Sequence, residues 1–175
     1  MSTNTSTMAL SEKLDTLAET DLSEAVDRID FMDYKKQKAY LEYSNHSHLI
    51  ELKLKLVRSL KRNSNELTYS ESIAKIKAEI DLFERGDNLA SDIYYLDLRY
   101  ANVKDKFTDE RDKEVNKIKK QSKEMLEKLD KAIDYMEDVS SRNDNERYKT
   151  MLYDAMMEKI QYEARMLRKI YDVYT

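Results

Sequence analysis

The chain has 175 residues, 38% of them charged, a formal net charge of −4, a single glycine, no proline and no cysteine. This composition excludes a disulfide framework, a thiolate metal site and a Gly-rich phosphate loop, because each needs residues that the chain lacks. Strand-rich folds need turn residues at short intervals, so we predict an all-α protein. A chain with so few apolar residues favours elongated antiparallel helices with coiled-coil packing, assembled as a homo-oligomer.

The first third of the chain predicts a polar tail followed by a long helix. Residues 1–20 form the expected N-terminal tail, and the capping-box pattern Asp21-x-x-Glu24 predicts a helix start. Apolar residues then recur on a seven-residue grid as far as Leu60. The run LIELKLKLV alternates like a strand, but we predict helix because its neighbours offer no strand partner and no hairpin turn.

A basic block follows an acidic segment within this predicted helix. Residues 1–34 carry eight acidic and two basic side chains, whereas residues 35–62 carry eight basic side chains against Glu42 and Glu51. Basic side chains neutralise phosphates and tyrosines stack on bases, so the block predicts binding of single-stranded nucleic acid. The candidate contacts are Lys35, Lys36, Lys38, Tyr40, Tyr43, Lys53, Lys55, Arg58, Lys61 and Arg62. The alternative is a solvated helix face, partnered by the acidic first segment.

The middle of the chain completes a predicted helical hairpin over residues 21–107. Asn63, Ser64 and Asn65 favour a turn, and Thr68-x-x-Glu71 is a capping box for the next helix. The only glycine, Gly86, interrupts the apolar spacing of that helix. Two interpretations remain open, a continuous helix with a local kink and a short turn with Gly86 as C-terminal cap.

Two apolar seams follow, the second in a predicted C-terminal coiled-coil hairpin over residues 108–175. The apolar seam skips the charged segment Thr108–Glu114. We expect a break at Ser140–Glu146 and a last helix from Glu146 with a broad apolar stripe. Seams spaced three and four residues apart predict contacts between helices. The expected oligomer interface consists of Ile93, Leu96, Tyr100, Val103, Phe107, Val115, Ile118, Met125, Leu129 and Met136.

No pattern in the sequence predicts catalysis. His46 and His48 lie two residues apart, whereas ligands on one helix face lie three or four apart, so we expect no metal site. No feature promises a cleft that would shift carboxylate pKa values. The tyrosines at helical spacing fit packing seams better than a stacking array. We therefore expect a non-enzymatic protein without a cofactor.

The segments KKQKAYLEYSNHSHLIELKLKLVRSLKR and LTYSESIAKIKAEIDLFERGDNLASDIYYLDLRYANVKDKF lie within residues 31–120. This region, a Lys-rich helix, a polar turn and an acidic helix with tyrosines, resembles phage recombination mediators of the UvsY type. The resemblance implies a ring-like oligomer that binds single-stranded DNA and helps to load a recombinase onto coated DNA. It also implies that the eight basic residues of the block contact DNA.

Three functions are open at this stage. The first is a phage-type accessory protein that binds single-stranded DNA and a partner protein in the manner of a recombination mediator. The second is a structural or scaffolding protein of a virus particle that acts through helical protein–protein contacts. The third is an inhibitor that sequesters a host protein. We expect no membrane association, because no apolar run is long enough, and a cytoplasmic location, in the host if the protein is viral.

Overall fold

The computed structural model describes residues 2–62, 67–143 and 145–175. Five helices account for most of these residues, and no strand occurs in these three ranges, which confirms the all-α prediction. The helices are α1 (Ser2–Lys61), α2 (Leu67–Arg85), α3 (Asp87–Arg99), α4 (Glu110–Arg142) and α5 (Glu146–Tyr174). None of them, over the described residues, is long and apolar enough to cross a membrane.

Helix α1 is the spine against which α2, α3 and α5 pack, and α4 packs on α5. Helices α2 and α3 lie end to end along one side of α1 and run antiparallel to it. Leu52 of α1 therefore packs on Ile76 of α2, while Tyr34 packs on Tyr100, just beyond α3. Helix α5 covers another side of α1, where Val57 packs on Ile160. Burial on two sides explains how a strongly charged chain holds a folded body.

The strand-like run LIELKLKLV is helical, and its alternation follows from this double burial. Leu49, Leu52 and Leu56 contact α2, whereas Ile50, Leu54 and Val57 contact α5. A helix that packs on two neighbours needs apolar residues on two of its sides. Because successive residues of a helix point in different directions, the residues of the two sides together can alternate along the sequence as in a strand.

Gly86 separates α2 from α3 by a single residue. Its φ of 64° and ψ of 16° place it in the left-handed region, and its N–H donates to the carbonyl of Phe83 at 3.1 Å. Its own carbonyl accepts from the N–H of Ala90 at 2.8 Å, within the first turn of α3. Gly86 thus caps α2, as one of the two interpretations has it, but the chain does not reverse because α3 continues along α1.

The chain between α3 and α4 is not helical as predicted. The seam through Val103 and Phe107 was expected to be helical, but α3 ends at Arg99 and the chain turns over residues 100–106. Both side chains still pack against α1, so burial was inferred correctly although the helix was not. The charged segment Thr108–Glu114, where the apolar seam skips, contains the start of α4. Helix α4 begins at Glu110 because the Asp109 side chain accepts from the Arg111 N–H.

Two N-terminal predictions meet different outcomes. Helix α1 begins at Ser2, so Asp21 lies inside it instead of at its start, because no glycine or proline interrupts residues 2–61. The turn predicted at Asn63, Ser64 and Asn65 lies outside the described residues.

Near the C-terminus, the predicted break and the start of the last helix at Glu146 are confirmed, with the Asn145 side chain accepting a hydrogen bond from the Arg147 N–H at 3.0 Å.

Candidate nucleic-acid interface

The basic block lies on α1 except for Arg62, which follows the helix, and three of its lysines are used within the fold. Lys35 pairs with Asp112 of α4 at 3.0 Å, and its side chain is only 18% exposed. Lys53 pairs with Glu84 at 3.7 Å and Lys61 with Asp154 at 2.5 Å. These lysines therefore tie α1 to α4, α2 and α5, and each is partly neutralised.

The other cations of the block divide into a half-buried and an exposed group. The ammonium of Lys38 lies 5.9 Å from the ring centre of Tyr34 and faces the carboxylate of Asp97. The exposed cations, which form no ion pair with any described residue, are Lys36, Lys55, Arg58 and Arg62. Lys55, Arg58 and Arg62 have the spacing of one helix face, so they form a positive patch near the end of α1.

A polar groove lies at this patch, between the end of α1 and the start of α2. We call it the α1–α2 groove, and its volume is about 590 Å³. Its cations are Lys55 from α1, Arg62 just beyond the end of α1 and Lys75 from α2, and Glu79 is the only acid among the described lining residues. Hydroxyl groups complete the lining, from Ser59, Thr68, Tyr69 and Ser72. Ammonium, guanidinium and hydroxyl donors in one groove are the groups that bind phosphate oxygens.

Lys75 is a member of this groove that the sequence analysis missed, because it falls in the acidic second half of the predicted hairpin. The antiparallel packing of α1 on α2, with Leu52 against Ile76, brings Lys75 to the level of Lys55. The sequence could have indicated this neighbour through the pairing of the two helices. If Leu52 packs on Ile76, Lys55 and Lys75, which lie next to these core residues, must be close to each other.

The two tyrosines of the block have different environments. Tyr40 is 58% exposed and free to stack on a base. Tyr43 is half-buried, and its ring stacks on Tyr171 of α5 with the ring centres 4.3 Å apart. The Arg168 guanidinium lies against both rings. Tyr43 therefore contributes to packing between α1 and α5, whereas Tyr69 lines the α1–α2 groove together with Lys55 and Arg62.

The residues predicted as an oligomer interface are largely turned towards the chain itself. Leu96, Tyr100 and Val103 are buried against Phe31 and Tyr34 of α1. In the second seam, Ser122 is buried and Leu129 is half-buried. Met125 is 42% exposed, and the next residue, Leu126, is half-buried where the seam predicted Met125. The remaining half-buried or buried positions of that prediction are Ile93, Phe107, Val115, Ile118 and Met136. A role in oligomer contacts stays a prediction for all of them.

Three tyrosine–carboxylate contacts brace the opposite end of the body, where α3, α4 and α5 meet α1. Tyr34 donates to Asp97 at 2.7 Å, Tyr100 donates to Asp33, and Tyr174 donates to Asp112. Burial raises the pKa of the Tyr34 hydroxyl well above its ordinary value, and the hydrogen bond to Asp97 raises it further. These tyrosines therefore stay protonated and hold helices together.

No group of three or more metal-ligating side chains comes together in the residues that the structure describes. The ring of His48 packs on Phe83, and His46 lines a groove between α1, α4 and α5. No family model matches this sequence, and comparisons with curated proteins and with solved structures give no match.

Proposed function

We propose that this protein is a non-enzymatic accessory protein that holds single-stranded nucleic acid in the α1–α2 groove. The observation that carries the proposal is the convergence of Lys55, Arg62 and Lys75 on one groove, whose described lining contains a single acid. Cations that are exposed and unpaired can exchange bound counterions for phosphates at little cost, which is the main source of affinity for nucleic acid.

The remaining groups in the groove fit a single strand better than a duplex. Tyr69 supplies an aromatic ring beside the cations, and bases can stack on such a ring only when they are unpaired. Ser59 supplies a neutral donor for phosphate or sugar oxygens, whereas the Ser72 hydroxyl donates to the Thr68 carbonyl at 2.8 Å. The site therefore supports backbone binding without sequence preference.

A recombination-mediator role, as the UvsY-type resemblance implies, would add a protein partner to this site. One groove with three cations binds weakly, so useful affinity requires several copies on one strand or a second protein. The experiment is fluorescence anisotropy with a labelled oligothymidylate at rising salt. We expect binding at low salt whose logarithmic dependence on salt has a slope of about −2, the value for three phosphate contacts on a single strand.

The site assignment is tested by a charge-reversal triple variant and a matched control. Lys55→Glu, Arg62→Glu and Lys75→Glu together should abolish the anisotropy change. The control carries Lys117→Glu, Lys120→Glu and Lys131→Glu, which reverse three exposed lysines of α4 away from the groove. Equal loss in both variants would show that net charge alone matters and would refute the groove, and no binding by the unmodified protein would refute the function.

The second candidate, a scaffolding or assembly protein, is favoured by a different observation. The first half of α1 exposes large apolar side chains, with Leu22 at 67% and Ile29 at 65% exposure. Exposed apolar stripes of this kind bind other proteins. Co-purification with virion proteins and no shift of a labelled oligonucleotide would favour this candidate over the first.

A further inference from the structure

A second pocket lies beside α1, nearer the middle of that helix than the α1–α2 groove. We call it the α1–α3 pocket, and its volume is about 340 Å³. Its α1 side extends from Tyr40 to His48, and its other side is formed by Phe83 near the end of α2 and by the start of α3. The polar side chains of its lining are Tyr40, Ser44, Asn45, His48, Asn88 and Asp92.

The pocket and the α1–α2 groove lie along one crease, between α1 and the side of the body that α2 and α3 form. His48 lines the pocket, whereas Lys55 and Arg62 line the groove. These three residues are seven apart, about two helical turns, and therefore lie on one side of α1. On α2, Glu79 of the groove and Phe83 of the pocket are four residues apart and also share a side.

The distance between the two sites suits a single strand that occupies both. Ser44 in the pocket and Ser59 in the groove are separated by about 22 Å of α1, at 1.5 Å per residue. A stacked strand advances about 3.4 Å per nucleotide, so about six nucleotides bridge this distance. A strand that is bound through its phosphates in the groove therefore reaches the pocket.

The pocket offers rings where the groove offers cations. The side chain of Tyr40 is 58% exposed, and the ring of His48 packs on Phe83 with the ring centres 4.4 Å apart. Neither lysine nor arginine occurs among the described lining residues. Aromatic surfaces without a cation beside them suit the flat face of a base better than a phosphate.

The polar groups of the pocket determine which base fits. Asn45, Asn88 and Asp92 form no hydrogen bond or ion pair with a described residue. A carboxylate only accepts hydrogen bonds, so Asp92 needs an N–H donor on the base. Cytosine, adenine and guanine carry an exocyclic amino group that can donate to it. The pairing edge of thymine has its one donor between two carbonyl oxygens, which a carboxylate repels.

We propose that the α1–α3 pocket receives one unpaired base of the strand that the α1–α2 groove holds, and that Asp92 selects a base with an exocyclic amino group over thymine. This inference rests on the proposed function. The base stacks on Tyr40 and donates its amino group to Asp92, while the amides of Asn45 and Asn88 donate to its acceptors. The groove binds the backbone without sequence preference, so the pocket adds discrimination at one position of the strand.

The first experiment compares a labelled oligodeoxycytidylate with an oligothymidylate of equal length by fluorescence anisotropy, at neutral pH and equal salt. About twelve nucleotides suffice, because Tyr40 and Arg62 are about 33 Å apart along the chain. The oligodeoxycytidylate should bind about tenfold more tightly. Equal affinity for the two oligonucleotides overturns the pocket but leaves the groove, whereas failure of both to bind refutes the proposed function as well.

The role of Asp92 is tested by Asp92→Asn against Asp81→Asn. Both variants remove one negative charge from an exposed position, but Asp81 lies on α2 outside the lining of the pocket. A general effect of charge alters the affinity for both oligonucleotides alike and leaves their ratio unchanged. Asp92→Asn should bring the ratio close to one, and Asp81→Asn should keep it. A preference for oligodeoxycytidylate that survives in Asp92→Asn overturns the proposal.

The stacking role of Tyr40 is tested by two substitutions and a control. Tyr40→Ala should weaken binding of the oligodeoxycytidylate at least fivefold, because the stacked ring is lost, whereas Tyr40→Phe should keep the affinity. Tyr135→Ala is the matched control, since Tyr135 is 64% exposed on α4. Circular dichroism checks that each variant is folded. Unchanged affinity in Tyr40→Ala, or an equal loss in Tyr135→Ala, overturns the proposal.

Discussion

The hydroxyl of Tyr34 donates a 2.7 Å hydrogen bond to the carboxylate of Asp97, and this contact joins the middle of α1 to the end of α3. Tyr34 is only 1% exposed, and Asp97 also pairs with Lys104 at 3.3 Å. The contact lies beside the buried rings of Phe31 and Tyr100. The ring of Tyr34 thus packs in the hydrophobic core, and its hydroxyl holds the carboxylate of Asp97 at the edge of that core.

Tyr34→Phe should lower the free energy of unfolding by about 1–2 kcal/mol, since the ring still fills its site but the hydrogen bond to a charged acceptor is lost. Urea denaturation followed by circular dichroism measures this change. Tyr40→Phe is the matched control, because Tyr40 is exposed and has no such partner. An equal loss in both variants would contradict the role given to the Tyr34–Asp97 contact.

Stability should fall in acid because two carboxylates have pKa values below the ordinary one. Burial disfavours the charged form of Asp97, but hydrogen bonds from Tyr34 and Lys104 outweigh it and lower the pKa. Burial acts likewise on Asp112, where Tyr174 and Lys35 lower the pKa. The unfolded chain then takes up protons at higher pH than the folded chain, so stability is present above about pH 4 and lost below it.

The measurement is the free energy of unfolding from neutral to acidic pH. Asp97→Asn with Asp112→Asn should be less stable at neutral pH and should show a shallower loss in acid. Asp92→Asn with Glu114→Gln alters two exposed carboxylates that no hydrogen bond holds, and should keep the slope of the unmodified protein. A slope unchanged by the first pair would refute the assignment.

Gly86→Ala should destabilise the protein by roughly 1–2 kcal/mol, the cost of placing an ordinary residue in the left-handed region. The reason is the φ of 64° and not crowding, because an added Cβ would meet only the Glu84 carbonyl at 3.9 Å. Gly86→Asn should cost less, since asparagine tolerates this conformation. Thermal unfolding compares the two variants, and an alanine variant as stable as the asparagine variant would contradict the explanation.

Ser122→Ala should leave stability unchanged or raise it by up to about 1 kcal/mol, because it removes a buried hydroxyl without a partner. Alanine also favours helix over serine by a few tenths of a kcal/mol. Ser91→Ala, an exposed position on α3, measures that helix effect alone. A loss of stability on Ser122→Ala would show that the hydroxyl is hydrogen-bonded in solution.

Much of the fold was predictable because local composition decides helix formation in this chain. Missing Gly and Pro predict helices, and Asn145 and the residues before it predict the last break. The end of α3 was not predictable, because Val103 and Phe107 keep helical spacing although the backbone turns there. Packing of these side chains on α1 outweighs the local preference.

The basic residues of the candidate site could be predicted from the sequence, but their partners in the folded chain could not. The sequence contains the basic block, but not the fact that Lys35, Lys53 and Lys61 have acidic partners on three other helices. Lys75 joins Lys55 and Arg62 only through the register of α1 on α2. Ion pairs and grooves between distant segments depend on which helix sides meet, and spacing within one segment does not contain that information.

The amino-acid sequence by itself determined that this protein is helical, where most of its helices start and stop, and that an acidic segment precedes a basic one. Those properties depend on neighbours a few residues apart, through backbone propensity, capping and charge. Only the tertiary structure decided which cations form no ion pair with a described residue and where Tyr43 and Lys75 lie. It also decided that the apolar side chains in the first half of α1 stay exposed. These depend on α5 ending near Lys35 and on α2 and α3 sharing one side of α1, which are relations between segments far apart in the chain.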